Sequence, residues 1–165
     1  ISFHGMEFNL TVNKMLEGAH IATLTQEFLK KDIITFASPD MGALMLFEGD
    51  KKRIIDLGLL CDKRLGKYGY SEIEQYVFQE EKPEIILAHD MWLIPLETSG
   101  QFFEMYIPAE VITNESMLYL FIREDLLSGL EQKTYKTNAK VSPDLDRVLL
   151  EFGKYVIIDL RKSQQ

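Results

Sequence analysis

The chain has 165 residues, the usual size of one domain, and 46% of them are hydrophobic, which suffices for a packed core. Its 26 acidic and 18 basic residues give a formal net charge of -8, which disfavours nucleic acid as a partner because duplex binding needs clustered lysine and arginine. The single cysteine, Cys61, excludes an internal disulfide and a thiolate zinc site.

The first half of the chain predicts alternating helices and strands. Apolar residues at helical spacing predict a helix over residues 10–31. A capping box formed by Ser71 and Glu74 predicts a second helix that ends at Pro83, and a short helix is predicted over residues 41–47. Short apolar runs predict three buried strands, at residues 33–37, 53–57 and 84–88.

The second half is less regular. We expect a loop at residues 89–101, a strand at 117–122, a helix that starts at Ser142 and stops at Gly153, and a last strand at 155–160. Strand, helix and strand in close succession is typical of a parallel sheet with crossover connections. The prediction is therefore one α/β domain over residues 1–165, with three layers: a mostly parallel central sheet and helices on both faces, as in Rossmann-like folds.

Several polar residues follow the predicted strands, where ligands bind in open α/β sheets. If the first three strands are parallel, Ser38, Asp40, His89 and Asp90 gather at one edge. A carboxylate beside a histidine is the minimum for acid–base work, so Asp40, His89 and Asp90 are candidate substrate-binding residues. The alternative is that the acids cap helices and turns, since Asp40 precedes a predicted short helix.

Asp56 and Asp62 flank a glycine-containing turn after the second strand. Asp56 lies between apolar residues and needs a partner, because an unpaired buried carboxylate is costly. That partner is either Arg64 or a group of backbone N–H groups after Gly58. Asp62 precedes another predicted short helix, where it suits the N-cap position.

Aromatic residues in the loops, among them Tyr70 and Trp92, suit the C–H faces of sugar rings, although packing in the core or an interface is the alternative. The three histidines show no metal-binding spacing, and no glycine-rich phosphate loop or nucleophile elbow occurs. We therefore expect no metal, no cofactor and no catalytic residue in this chain.

Three phrases in order carry a family resemblance over about residues 9–95: Ser38-Pro39-Asp40-Met41-Gly42-Ala43-Leu44, then Arg53-Ile54-Ile55-Asp56-Leu57-Gly58-Leu59-Leu60-Cys61-Asp62-Lys63-Arg64, then Glu81-Lys82-Pro83-Glu84-Ile85-Ile86. With them the chain resembles the extracytoplasmic C-terminal domain of polytopic membrane glycosyltransferases that use lipid-phosphosugars, such as arabinofuranosyltransferase-like and protein mannosyltransferase-like enzymes. The family's motif positions fall here on Gly42, Asp56, Gly58, Asp62 and Arg64.

The match has departures. Gly58 follows Asp56 by two residues where the commonest form has three, and Glu84 stands where aspartate is usual. No phrase of the family is found after about Ile107. The chain begins at Ile1 without a methionine, so we expect it to be a piece of a longer protein.

The resemblance implies an extracytoplasmic, periplasmic domain whose partner is the membrane-embedded remainder of the same polypeptide. It would help to bind a carbohydrate acceptor or a sugar, while the catalytic acid would lie in a loop between membrane helices. Two alternatives stay open. One is a free-standing domain that binds a small molecule such as a nucleotide or a sugar, and the other is a small hydrolase that uses Asp40, Asp90 and His89.

Overall fold

A computed structural model describes residues 12–46, 49–111, 119–127 and 156–158. The helices are α1 (Val12–Phe28), α2 (Met41–Leu46), α3 (Lys63–Tyr68), a π-helix (Ile73–Glu81), α4 (Leu93–Glu97) and α5 (Gly100–Met105). The strands are β1 (Ile34–Ser38), β2 (Lys52–Asp56), β3 (Ile85–Ala88), β4 (Tyr106–Val111), β5 (Tyr119–Arg123) and β6 (Val156–Ile158).

The six strands form one mixed sheet in the order β2-β1-β3-β5-β4-β6. β1 pairs in parallel with both β2 and β3, while β5 is antiparallel to β3 and β4, and β6 is parallel to β4. The predicted α/β class and the parallel arrangement of the first three strands are confirmed. The predicted helix over residues 142–152 lies outside the described residues.

Core side chains form two clusters, and neighbouring residues of one strand belong to different clusters because side chains alternate across a sheet. In β1, Ala37 belongs to the first cluster and Phe36 to the second. In β3, Ile86 belongs to the first and Ile85 to the second. Both faces of these strands are thus covered, which explains why their sequences are largely apolar, with Thr35 and Ser38 as the polar exceptions.

The two crossover connections contribute to different clusters. Leu44 of α2, between β1 and β2, lies in the second cluster together with residues of α1. Leu65 of α3 and Val77 of the π-helix, between β2 and β3, lie in the first cluster. Consecutive connections therefore cover opposite faces of the sheet.

Helix α1 ends earlier than predicted. Lys30 adopts a left-handed conformation with φ of 53°. Its N–H binds the carbonyl of Glu27 at 3.0 Å, and the N–H of Lys31 binds that of Gln26 at 3.2 Å. This is the Schellman pattern that closes helices, with lysine at the position that glycine usually occupies.

The predicted capping box is wrong. The hydroxyl of Ser71 donates to the carbonyl of Tyr68 at 2.8 Å, and the carboxylate of Glu74 accepts the hydroxyl of Ser99. A 3₁₀ turn, Gly69–Glu72, precedes the helix, which begins at Ile73. The helix does end before Pro83, as predicted, at the left-handed residue Lys82.

The region predicted as a loop, residues 89–101, contains α4 and the first two residues of α5, and neither helix nor β4 was predicted. Among the described residues, none of the helices combines the length and the apolar character needed to cross a bilayer.

Candidate functional site

The carboxyl ends of β1, β2 and β3 meet at one edge because these strands are parallel. Ser38 and Asp56, the last residues of β1 and β2, are register partners. The chain runs from β1 to β2 on one side and then crosses to β3 on the other side of β1. Because the two connections lie on opposite faces of the sheet, the carboxyl ends of the neighbouring strands β1 and β3 form a topological switch point, the position where open α/β sheets bind ligands. This position is here called the edge between β1 and β3.

Asp40 and His89 meet at this switch point. Nε2 of His89 lies 2.9 Å from Oδ2 of Asp40, although 49 residues separate them in the sequence. The side chain of His89 is 12% exposed and that of Asp40 is 22% exposed. The amide of Asp40 donates to the buried hydroxyl of Ser38 at 3.2 Å, which fixes the turn after β1.

This contact determines what the pair can do chemically. The carboxylate of Asp40 accepts a hydrogen bond from the N–H at Nε2 of His89, which orients the ring and selects its tautomer. The result is a partly accessible pair that offers both an acceptor and a protonatable group. Such a pair can hold a polar ligand or exchange a proton with one.

Trp92 lies beside the pair, at the end of the 3₁₀ turn Asp90–Trp92. The backbone N–H of Trp92 donates to the carbonyl of His89 at 3.0 Å, and the half-buried side chain of Trp92 packs against the first core cluster. The backbone of Asp90 begins this turn, whereas its side chain lies outside the described part of the chain. The structure thus brings Asp40, His89 and Trp92 to one edge.

The carboxylate of Asp56 organises the neighbouring loop. It is 2% exposed and accepts N–H groups from Gly58 at 2.8 Å, Leu60 at 2.9 Å and Cys61 at 2.6 Å. Of the two predicted partners, the backbone N–H groups are therefore the ones observed. Bonds from amides to a charged carboxylate are among the stronger hydrogen bonds in proteins, so Asp56 holds the loop in one conformation.

Gly58 and Gly42 differ in their surroundings. A Cβ atom on Gly58 would lie 2.9 Å from Oδ1 of Asp56 and 3.2 Å from the carbonyl oxygen of Pro39. Gly42, in α2, has no heavy atom within 4 Å of the equivalent position. Close approach of two loops therefore requires glycine at 58 and does not require it at 42.

Asp62 is the N-cap of α3, as predicted. Its Oδ1 accepts the N–H groups of Arg64 and Leu65, both at 2.9 Å, and its Oδ2 accepts the hydroxyl of Tyr76, also at 2.9 Å. Burial and this hydrogen bond raise the pKa of Tyr76 to about 12. The sequence carries no signal for this third bond, because the two residues lie 14 positions apart on different elements.

Arg64 connects α3 to the π-helix. Its guanidinium pairs with Glu72 at 2.8 Å and also with Glu80, and it lies 4.9 Å from the centroid of the Tyr76 ring. The hydrogen bond to Glu80 raises the pKa of Arg64 above its ordinary value. The contacts described for Arg64 are therefore those with Glu72, Glu80 and Tyr76.

Tyr70 lies beside the loop that Asp56 organises. Its hydroxyl donates to the carbonyl of Leu57 at 2.7 Å, and its ring packs against the first core cluster. Burial raises the pKa of Tyr70, and the charge of Asp56 contributes in the same direction. The hydroxyl proton is thus used within the chain.

In the part of the chain that the structure describes, no group of three or more His, Cys, Asp or Glu side chains could hold a metal ion. No protein-family model, curated protein or solved structure matches this chain.

Proposed function

We propose that the chain is the extracytoplasmic domain of a membrane glycosyltransferase-like protein, and that it binds a carbohydrate acceptor or sugar at the edge between β1 and β3. The observation that carries this proposal is the contact between Asp40 and His89 at the switch point. The domain binds and positions its ligand, and transfer of the sugar belongs to the membrane-embedded remainder of the polypeptide.

The chemistry of the edge suits a ligand with many hydroxyl groups. A carboxylate and an imidazole accept and donate hydrogen bonds to hydroxyls, and an aromatic ring such as that of Trp92 offers an apolar face to sugar C–H groups. Partial exposure of Asp40 and His89 leaves them within reach of a ligand. The two core clusters on alternating residues support the three-layer, Rossmann-like arrangement in which such edges bind ligands.

Contacts between the three resemblance phrases also support the proposal. The N–H of Leu57, in the second phrase, donates to the carbonyl of Ser38, in the first, at 3.1 Å. In the third, Glu84 accepts the N–H of Thr35 at 2.7 Å and donates its own N–H to the carbonyl of Thr35 at 2.9 Å, just before the first phrase. The phrases are therefore connected in space as well as ordered in sequence.

Trp92 gives a direct binding assay because it is the only tryptophan in the chain. We expect methyl α-mannoside or methyl α-arabinofuranoside, titrated to about 10 mM, to change its fluorescence with the weak affinity typical of single sugars. Asp40→Asn should abolish the change, whereas Asp50→Asn, at an exposed site, should leave it intact. No change with either glycoside, or equal responses of the two variants, would refute ligand binding at this edge.

The division of labour has its own test. The isolated chain should show no transfer from a lipid-linked sugar, and the coding sequence before Ile1 should specify several membrane-spanning helices. Robust turnover by the isolated chain would contradict the first expectation. A start codon a few residues upstream would contradict the second and favour a free-standing binding domain.

The contact of Asp40 with His89 also favours one alternative, a small hydrolase in which His89 activates water. Hydrolysis of p-nitrophenyl acetate that falls in Asp40→Asn and His89→Gln would support that alternative. Equal background hydrolysis by the wild type and both variants would exclude it for this ester.

A further inference from the structure

Four of the six exposed large apolar residues in the described part of the chain lie in segments that follow β2 and β3. They are Leu60, Tyr68, Met91 and Ile94. A fifth, Ile33, precedes β1 and therefore lies at the opposite edge of the sheet. Single exposed apolar residues are ordinary on protein surfaces, but Leu60 and Tyr68 lie on a loop and on the helix packed against it, and together they indicate an interaction surface.

Leu60 is the most exposed of these residues, at 89%. The loop that carries it is held in place, because Asp56 accepts its N–H at 2.9 Å and Leu57 is bonded by Tyr70. A leucine on a fixed loop cannot turn inward to escape water. Its exposure is therefore a constant feature of the fold.

Two lysines extend this surface along α3. Lys63 and Lys67 are exposed and four residues apart, which places them on one side of the helix, while Leu65 is buried on the other. A Cβ atom on Gly66 would lie 3.0 Å from the carbonyl of Leu59, so the loop packs directly against α3. The loop that carries Leu60 and the helix that carries the lysines are therefore adjacent, and their exposed residues Leu60, Lys63, Lys67 and Tyr68 are here called the Leu60–Tyr68 face.

The charges of this face differ from those of the whole chain. No carboxylate of the described residues is paired with Lys63 or Lys67, and the ammonium of Lys67 lies 4.8 Å from the centroid of the Tyr68 ring. Asp62 is the only acidic residue among residues 60–68. Its carboxylate accepts hydrogen bonds from two backbone N–H groups and from the hydroxyl of Tyr76. The face is thus locally cationic on a chain of net charge -8.

We propose that the Leu60–Tyr68 face docks on an anionic lipid surface. Leucine and tyrosine insert at the level of the headgroups, and the two lysines pair with lipid phosphates, as in other interfacial protein surfaces. This proposal needs no sugar binding at Asp40 and His89, so either proposal can fail alone.

Sedimentation of the whole chain with vesicles tests the proposal. We expect binding to phosphatidylcholine vesicles that contain roughly a quarter phosphatidylglycerol, and much weaker binding to pure phosphatidylcholine. Leu60→Ser should lower the partition coefficient roughly tenfold, and each of Lys63→Gln and Lys67→Gln roughly fivefold. Raising the salt from about 0.05 M to about 0.5 M should remove most of the binding.

The matched control is Ile33→Ser, which removes an exposed apolar side chain, 68% accessible, from the opposite edge. It should bind like the wild type, and urea unfolding of each variant verifies that it is folded. Failure of the wild type to bind anionic vesicles, or equal losses in Leu60→Ser and Ile33→Ser, would overturn the proposal. Lipid-free dimerisation that Leu60→Ser abolishes would overturn it too, because the face would then belong to a second copy of the chain.

Discussion

Replacement of Asp56 by asparagine should weaken the fold more than any other single-atom exchange at the carboxyl edge. The carboxylate accepts three N–H groups, from Gly58, Leu60 and Cys61. An asparagine has one oxygen, so its NH₂ group must face at least one of these donors. A hydrogen bond to a charged group contributes about 1.5–3 kcal/mol, and loss of the charge weakens the bonds that remain.

We therefore expect Asp56→Asn to lower the free energy of unfolding by about 3 kcal/mol. With a urea m-value of about 2 kcal/mol/M, the midpoint of unfolding should fall by about 1.5 M. Asp50→Asn, an equally conservative change at an exposed position, should change the free energy by less than about 0.5 kcal/mol. Equal midpoints for Asp56→Asn and the wild type, measured at pH 7, would show that the loop does not depend on this carboxylate.

Substitutions at Gly58, Tyr76 and Glu84 test three further contacts by urea unfolding. Gly58→Ala should lower the free energy of unfolding by about 1–3 kcal/mol because the new Cβ meets Asp56 and Pro39. Gly42→Ala, in open space on a helix, should raise that free energy by about 0.5–1 kcal/mol. Equal effects of the two substitutions would refute the close approach. Tyr76→Phe removes the hydrogen bond to Asp62, so it should be less stable than the wild type below pH 10, the ordinary tyrosine pKa. Burial and this hydrogen bond keep Tyr76 protonated in the folded state. The difference should shrink as the pH rises towards the raised pKa of about 12, and a constant difference would contradict the raised pKa. Glu84→Ala should cost about 1–2 kcal/mol by leaving the N–H of Thr35 without its acceptor, and Glu84→Gln, which keeps an oxygen, should cost less; the reverse order would refute this role.

The parallel half of the sheet could be predicted from the sequence because its strands are short, rich in apolar residues and bounded by turn residues. β1, β2 and β3 were each predicted to within one residue of their observed limits. Local composition is enough to predict strands of this kind.

β4 was missed because it contains Pro108, which demotes a strand in any local interpretation. In the structure Pro108 is the register partner of Phe121 in β5, and the described pairing with β6 starts one residue later, at Ala109. Pro95 similarly concealed α4, although it is only the third residue of that helix, where proline is tolerated.

The capping box failed for a tertiary reason. Ser71 and Glu74 have the correct spacing, but Glu74 binds Ser99, which is 25 residues away and buried. A contact at that distance in the sequence is invisible to local rules. Residues 69–72 form a 3₁₀ turn instead of a capping box, and a π-helix follows.

That Asp40 and His89 lie at the same edge could be predicted from parallel strands, whereas their direct contact also requires β1 and β3 to be neighbours. The partner of Asp56 could not be decided, since Arg64 and the backbone N–H groups were both in reach of the sequence argument. Glu72 and Glu80 decide it, because they bind the guanidinium from the following helices.

Mapping of amide chemical shifts tests the central claim most directly. On titration of the ¹⁵N-labelled chain with methyl α-mannoside and methyl α-arabinofuranoside, the claim predicts that at least one glycoside shifts the amides of Ser38, Asp40, His89 and Trp92, at the edge between β1 and β3. Shifts confined to β4 and β5, or no shifts with either glycoside, would contradict the claim.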